Sequence, residues 1–205
     1  MKVRILKYFR FISSYLFLSI VWLSQAQAID LETALWHYQR NDFVPAFLDF
    51  QILAAEGDVT AMAYLGRMYR QGYAVKKNLV EAEKWLSSAA EGDVPMANHR
   101  LGWMYAKGEI GESRDMAQAA KYWERAANLG DPAGQLDIGV MYWRGEGVPK
   151  DLIKAHAWLL LSAKATEWKA STGNLDNIIK EMSEEQINQG KVLAKKIEAS
   201  IEKGP

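Results

Sequence analysis

Three side chains are best suited to proton transfer or metal ligation near neutral pH: His37, His99 and His156. They stand 62 and 57 residues apart in different predicted helices. No HExxH motif or paired-histidine spacing is present, and the chain has no cysteine. Neither a zinc site nor a thiol nucleophile is therefore written in it. Gly145-x-Gly147 puts two glycines before a helix, as a phosphate loop does. No Gly-Lys-Ser/Thr follows, however, and a helix rather than a strand precedes, so a turn is the better reading. Glu184 and Glu185 are adjacent in a predicted first helical turn, where they favour the helix dipole. Glycoside chemistry needs two carboxylates held apart across a cleft. No G-x-S-x-G elbow occurs. The chemistry-bearing residues predict no enzyme, no metal and no cofactor.

The elements that carry these residues repeat. Leu65-Gly66 with Tyr69 and Gly72 is one copy; Leu101-Gly102 with Tyr105 and Gly108 is a second; Ile138-Gly139 with Tyr142 and Gly145 is a third. The glycines at 66, 102 and 139 fall 36 and 37 residues apart. A second half repeats as Ala82-x-x-Trp85, Ala120-x-x-Trp123 and Ala155-x-x-Trp158, each followed by a pair of small residues. Gly57-Asp58, Gly92-Asp93 and Gly130-Asp131 mark the boundaries. A period near 36 with two helices per unit predicts an all-α solenoid.

Each recurrent residue has a packing reason. Glycine within a helix costs about 1 kcal/mol against alanine, so its recurrence predicts close helix approach at 66, 102 and 139. The tryptophans are bulky anchors beside small alanines. The boundary glycines suit the left-handed position that ends a helix. Asn41-Asp42 and Asp151 are expected helix starts. The middle turn, from Gly108 to Asp115, is longer than its counterparts.

Both ends depart from the repeat. Lys2, Arg4, Lys7 and Arg10 precede an apolar run from Phe11 to Leu23, and Ala26-Gln27-Ala28 follows. This predicts a secretory signal over residues 1–28, cut after Ala28, with an uncleaved anchor as the alternative. Cleavage leaves 21 basic against 25 acidic residues, a formal net charge of −4. Such a chain gives no global argument for nucleic acid. No second apolar segment could span a membrane. After residue 165 the register loosens. Trp168, Leu175, Ile178, Ile179 and Met182 suggest one helix, and Ser183 to Gln186 reads as a capping box opening another. The predicted organisation is a signal (1–28), an N-terminal half-repeat (29–57), three repeats (58–92, 93–130 and 131–165) and a C-terminal helical cap (166–205).

The pattern A-x-x-x-L-G-x-x-Y-x-x-G-x-G-V-x-x-D-x-x-x-A-x-x-W-x-x-x-A-A-x-x-G resembles the Sel-one-like repeat, a relative of the tetratricopeptide repeat. The resemblance covers about residues 58–165, and the third copy matches best. It implies a right-handed α-α superhelix used as an adaptor or scaffold, a fold common in exported bacterial proteins. By similarity to the tetratricopeptide groove, the first helix of each repeat lines a concave face. The inward residues are then Tyr64, Arg67, Arg70 and Gln71; His99, Arg100, Trp103 and Lys107; and Asp137, Val140, Trp143 and Arg144. Five of these are basic (six with His99) and one is acidic, on a chain that is net acidic. Asp137, Trp143 and Arg144 have no place in the repeat grammar.

The resulting expectation is a periplasmic or secreted module that binds a protein or peptide, acidic in character, along that face. Alternatives are an accessory of a cell-wall enzyme and a secreted effector that meets host proteins.

Overall fold

A computed structural model describes residues 29–203 apart from 112, 167 and 168. The predicted signal segment and Trp168 lie outside the described residues. Ten helices and no strand are present among the described residues: α1 (Leu31–Gln39), α2 (Phe43–Ala55), α3 (Val59–Gln71), α4 (Leu79–Glu91), α5 (Pro95–Lys107), α6 (Met116–Asn128), α7 (Pro132–Arg144), α8 (Leu152–Ala165), α9 (Lys169–Ile179) and α10 (Glu184–Ile201). From α1 to α9 each packs on its sequence neighbour, α10 returns to pack on α8, and α3–α4, α5–α6 and α7–α8 form the closest pairs. Contacts between successive units and little else make a solenoid. None of these helices is long and apolar enough to cross a membrane.

The repeat residues build this stack. A Cβ on Gly66 would lie 2.6 Å from Leu86 Cγ, one on Gly102 would lie 2.5 Å from Trp123 Nε1, and one on Gly139 would lie 2.9 Å from Leu159 Cγ. All three glycines thus admit the partner helix where any side chain would exclude it. Gly72, Gly108 and Gly145 end α3, α5 and α7 in the left-handed conformation, with φ of 78°, 67° and 72°. Asp58, Asp131 and Asp151 cap α3, α7 and α8 through side-chain acceptance from backbone N–H groups.

The middle repeat differs from the expected alignment. Its second helix starts after the cap Asp115, as α4 starts after Asn78 and α8 after Asp151. Counted from those caps, Trp85 and Trp158 correspond to Tyr122, not to Trp123. Trp123 takes the position of Leu86 and Leu159, facing Gly102 as they face Gly66 and Gly139. Tyr122 instead stacks on Tyr105, with centroids 5.4 Å apart and planes 11° from parallel. The extra length between Gly108 and Trp123 therefore has two sources: one added residue in the turn and a one-residue shift of the tryptophan.

Two caps also depart from expectation. Gly92 has φ −84°, and Asp93 adopts the left-handed conformation at φ 55°. Gly92 is small for another reason: a Cβ there would lie 2.6 Å from Val59 Cγ1. Freed from capping, Asp93 pairs with Arg125 at 2.8 Å. Asp42 precedes α2 without a side-chain cap bond.

The C-terminal helices close the stack. Ser183 and Gln186 form the capping box of α10. That helix packs along α8, with Gly190 so close to His156 that a Cβ would lie 2.5 Å from Nδ1. His156 is buried, and burial, then Lys191, pushes its pKa down.

Candidate interaction surface

The first helices of the units, α3, α5 and α7, carry the residues expected to line a groove. Many of those residues already have partners in the fold. Tyr64 stacks on Phe50 at 4.9 Å and meets the edge of Tyr38 at 5.0 Å. Arg70 Nε donates to Glu109 Oε2 at 2.6 Å, and both side chains are largely buried. Trp143 Nε1 donates to Glu181 at 3.0 Å, beside Lys150. His99 Nε2 donates to Asp137 at 2.9 Å. These three polar contacts span 39, 38 and 38 residues. Each ties one unit to the next. Asp137 and Trp143, outside the repeat grammar, thus hold the stack together.

What remains open is smaller and more coherent. Trp103 is exposed, packs edge-to-face on Trp123 at 5.4 Å, and has the Lys107 ammonium 5.5 Å from its ring centroid. Its indole N–H lies 3.2 Å from His99 Nε2. A carboxylate only accepts, so Nε2 carries the proton when it pairs with Asp137 and cannot also accept from the indole. The Trp103 N–H is then available to an outside acceptor. Trp103, Lys107, Asp137, Val140 and Arg144 border one depression of about 450 Å³ between α5, α6 and α7. Arg144 is exposed and reaches Glu146 only at 4.0 Å.

Arg67 and Arg100 lie on the neighbouring part of the face. The Arg67 guanidinium covers the Tyr38 ring at 5.2 Å. Burial, and next the Arg67 charge, lower the Arg100 pKa to about 10. Burial raises that of Tyr38, opposed by Arg67 and Arg100. Tyr38 was not among the residues expected in the groove. Its i, i+4 spacing from Ala34 in a half-repeat gives only a core reading, because its role depends on arginines from two later units. Gln71 is exposed at the end of α3.

A hollow of about 610 Å³ lies on the other side, between α6 and α10. Two of its charged residues are engaged elsewhere: Glu124 accepts from Tyr142 at 2.8 Å, and Arg125 pairs with Asp93, while Lys121 is exposed. The described residues contain no group of three side chains able to hold a metal ion.

Comparison with known proteins gives one family. Its model, described as Sel1 repeat, matches residues 59–94, 95–131 and 132–166. An Arabidopsis thaliana protein named as an ERAD-associated E3 ubiquitin-protein ligase component, HRD3B, is 36% identical over 108 residues, 51% of this chain and 17% of that protein. A Helicobacter pylori protein named "Putative beta-lactamase HcpC" is 42% identical over 43 residues, 21% of this chain and 15% of that one. Among solved structures, a protective antigen of uropathogenic Escherichia coli strains displaying an SLR fold superposes with a TM-score of 0.67 at 25% identity. That match covers 77% of this chain and 34% of the antigen. The matched stretch is therefore a small part of each of these longer proteins.

Proposed function

We propose that this chain, which belongs to the Sel1 repeat family, is a non-catalytic adaptor that holds a segment of a partner protein against α3, α5 and α7. Sel1 repeats bind protein partners, and the plant relative is named as a component of a larger complex. One observation supports this face: exposed Trp103, flanked by Lys107 and Arg144, borders a depression in which Asp137 is paired with His99 and Arg114 with the Ala106 carbonyl. Tryptophan and arginine supply most of the energy at protein interfaces, because they bury large area and bond directionally. The partner segment is then apolar or aromatic near α5 and α7 and acidic beside the arginines.

The site of action is the bacterial cell envelope, on the strength of the basic and apolar pattern of residues 1–28. An SLR-fold neighbour is named as a protective antigen present in uropathogenic Escherichia coli strains, so the fold occurs in a bacterial protein. An accessory of a cell-wall enzyme and a secreted effector differ from this reading in where the partner is found.

The test is photo-cross-linking in cells from a reactive residue at position 103. Its companion is the charge reversal of Arg67, Arg100 and Arg144 to glutamate. Cross-linked partner should fall at least tenfold in the reversed protein, the scale of one lost charged contact. Undiminished capture, with native circular dichroism, refutes the assignment of this face.

A further inference from the structure

Guanidinium groups in this fold generally meet an acid. Arg70 meets Glu109, Arg125 meets Asp93, and Arg40 and Arg144 reach Asp42 and Glu146 more loosely. Arg114 donates instead to the Ala106 carbonyl at 2.7 Å, and Arg67 and Arg100 have neither kind of partner among the described residues. The Nε of each is sealed from water and has no hydrogen-bond partner. The Tyr38 hydroxyl beneath them is likewise sealed and unpaired. Two like charges, partly desolvated and side by side, oppose folding. Among the described residues, the one ring contact they make is that of Arg67 with Tyr38. Both side chains stay partly exposed, so their outer edges face solvent while their inner edges rest on the aromatic floor.

We propose that Arg67, seated on the Tyr38 ring, and Arg100 beside it form a receptor for a carboxylate group of the bound partner. The proposal rests on the reading that this face binds a protein. A guanidinium presents paired donors whose spacing matches a carboxylate, and two of them from successive units can clasp one group from both sides. The Tyr38 ring under Arg67 and the burial of both Nε atoms hold the two side chains, which limits the entropy lost on binding. A protein supplies the matching group unmodified, at an acidic side chain or at its C-terminus. Binding brings in the counter-charge that the site lacks.

The test uses side-chain Nε–Hε spectra of the full ¹⁵N-labelled chain, in which the sealed position of both Nε atoms slows solvent exchange. Sodium acetate is titrated against sodium chloride at equal ionic strength, and inorganic phosphate separately. The Arg67 and Arg100 signals should shift saturably with acetate and not with chloride, while the Arg125 signal stays in place. Arg100→Gln should weaken the acetate response at least about tenfold, the scale of one charge-assisted hydrogen bond. Arg67→Gln gives the same reading if Arg100→Gln does not fold. Absence of a saturable acetate shift overturns the proposal, as does an equal shift in both variants or a response to phosphate alone. Cross-linking from position 103 that persists beside a failed acetate titration would leave the adaptor reading standing without its carboxylate site.

Discussion

Replacing Gly102 with alanine puts two effects of known sign in competition. Alanine favours the helix over glycine by about 1 kcal/mol, and the backbone of Gly102 is ordinary α-helix. The added Cβ, however, would lie 2.5 Å from Trp123 Nε1 and 2.6 Å from its Cδ1. Trp123 is buried, and its ring is rigid, so the helices must part or the indole must tilt. Overpacking of this kind costs about 1–3 kcal/mol. A tilt also weakens the bond from Trp123 Nε1 to the His99 carbonyl, 3.2 Å long, for about 1 kcal/mol more. The net expectation for Gly102→Ala is a loss of about 1–3 kcal/mol. In a Trp123→Ala background the clash is gone, and the same substitution should stabilise by up to about 1 kcal/mol. Urea unfolding of the four proteins of this double-mutant cycle reads the coupling directly, expected at about 2–4 kcal/mol. Additive effects would refute the placement of Trp123 over Gly102, and with it the one-residue shift of the middle repeat.

Two further outcomes are expected. Gly147→Ala should destabilise the fold by about 2 kcal/mol or more in urea unfolding, since φ is 71° and the new Cβ would run into the Met116 carbonyl. His156 gives a pH dependence of defined sign: its pKa is lowered in the folded state, so the unfolded chain binds the proton more readily. Stability is then complete above the ordinary value of 6.5 and falls as pH drops below it, by at most about 1.4 kcal/mol per pH unit. His156→Gln should flatten that part of a thermal-melting profile, and an unchanged slope would show that the buried imidazole is not its source.

The helix-turn-helix period was legible because its cause is local and repeated. A glycine facing the partner helix and a left-handed glycine at the helix end recur in every unit. The middle repeat was misaligned by one residue for an equally definite reason. Ala119 and Ala120 are adjacent and both buried, so either can serve as the small residue before the aromatic anchor. Only the cap at Asp115 and the pair Ala126–Ala127 decide between them. On the candidate surface, Arg67, Arg100 and Trp103 were legible as residue types on the first helices of successive units. Their division into paired and unpaired groups was not. The acids that neutralise Arg70 and hold Trp143 are Glu109, in the longer middle turn, and Glu181, after α9. Glu109 follows Gly108 as Glu146 follows Gly145, but Tyr73 stands there in the first unit and Glu181 lies beyond the repeats, so the repeat pattern does not announce which side chain each acid meets.

That division gives the face a direction. Arg100 and Trp103 lie three residues apart on α5, hence about 4.5 Å along its axis and on adjoining sides. Arg67, toward the N-terminal units, joins Arg100 in an unneutralised cationic group. Toward the C-terminal units, His99–Asp137 is already paired, and Trp103 and Val140 offer apolar surface. A bound segment therefore meets two guanidiniums without an acid at one end and, at the other, an apolar surface flanked by Lys107 and Arg144, with α5 contributing to both. Reversing such a segment would set its apolar side chain against two guanidiniums, which is unfavourable, while its carboxylate would meet Asp137 together with Lys107 and Arg144. The repeats supply near-identical helices, and unequal pairing of their polar residues is what makes this surface select an orientation.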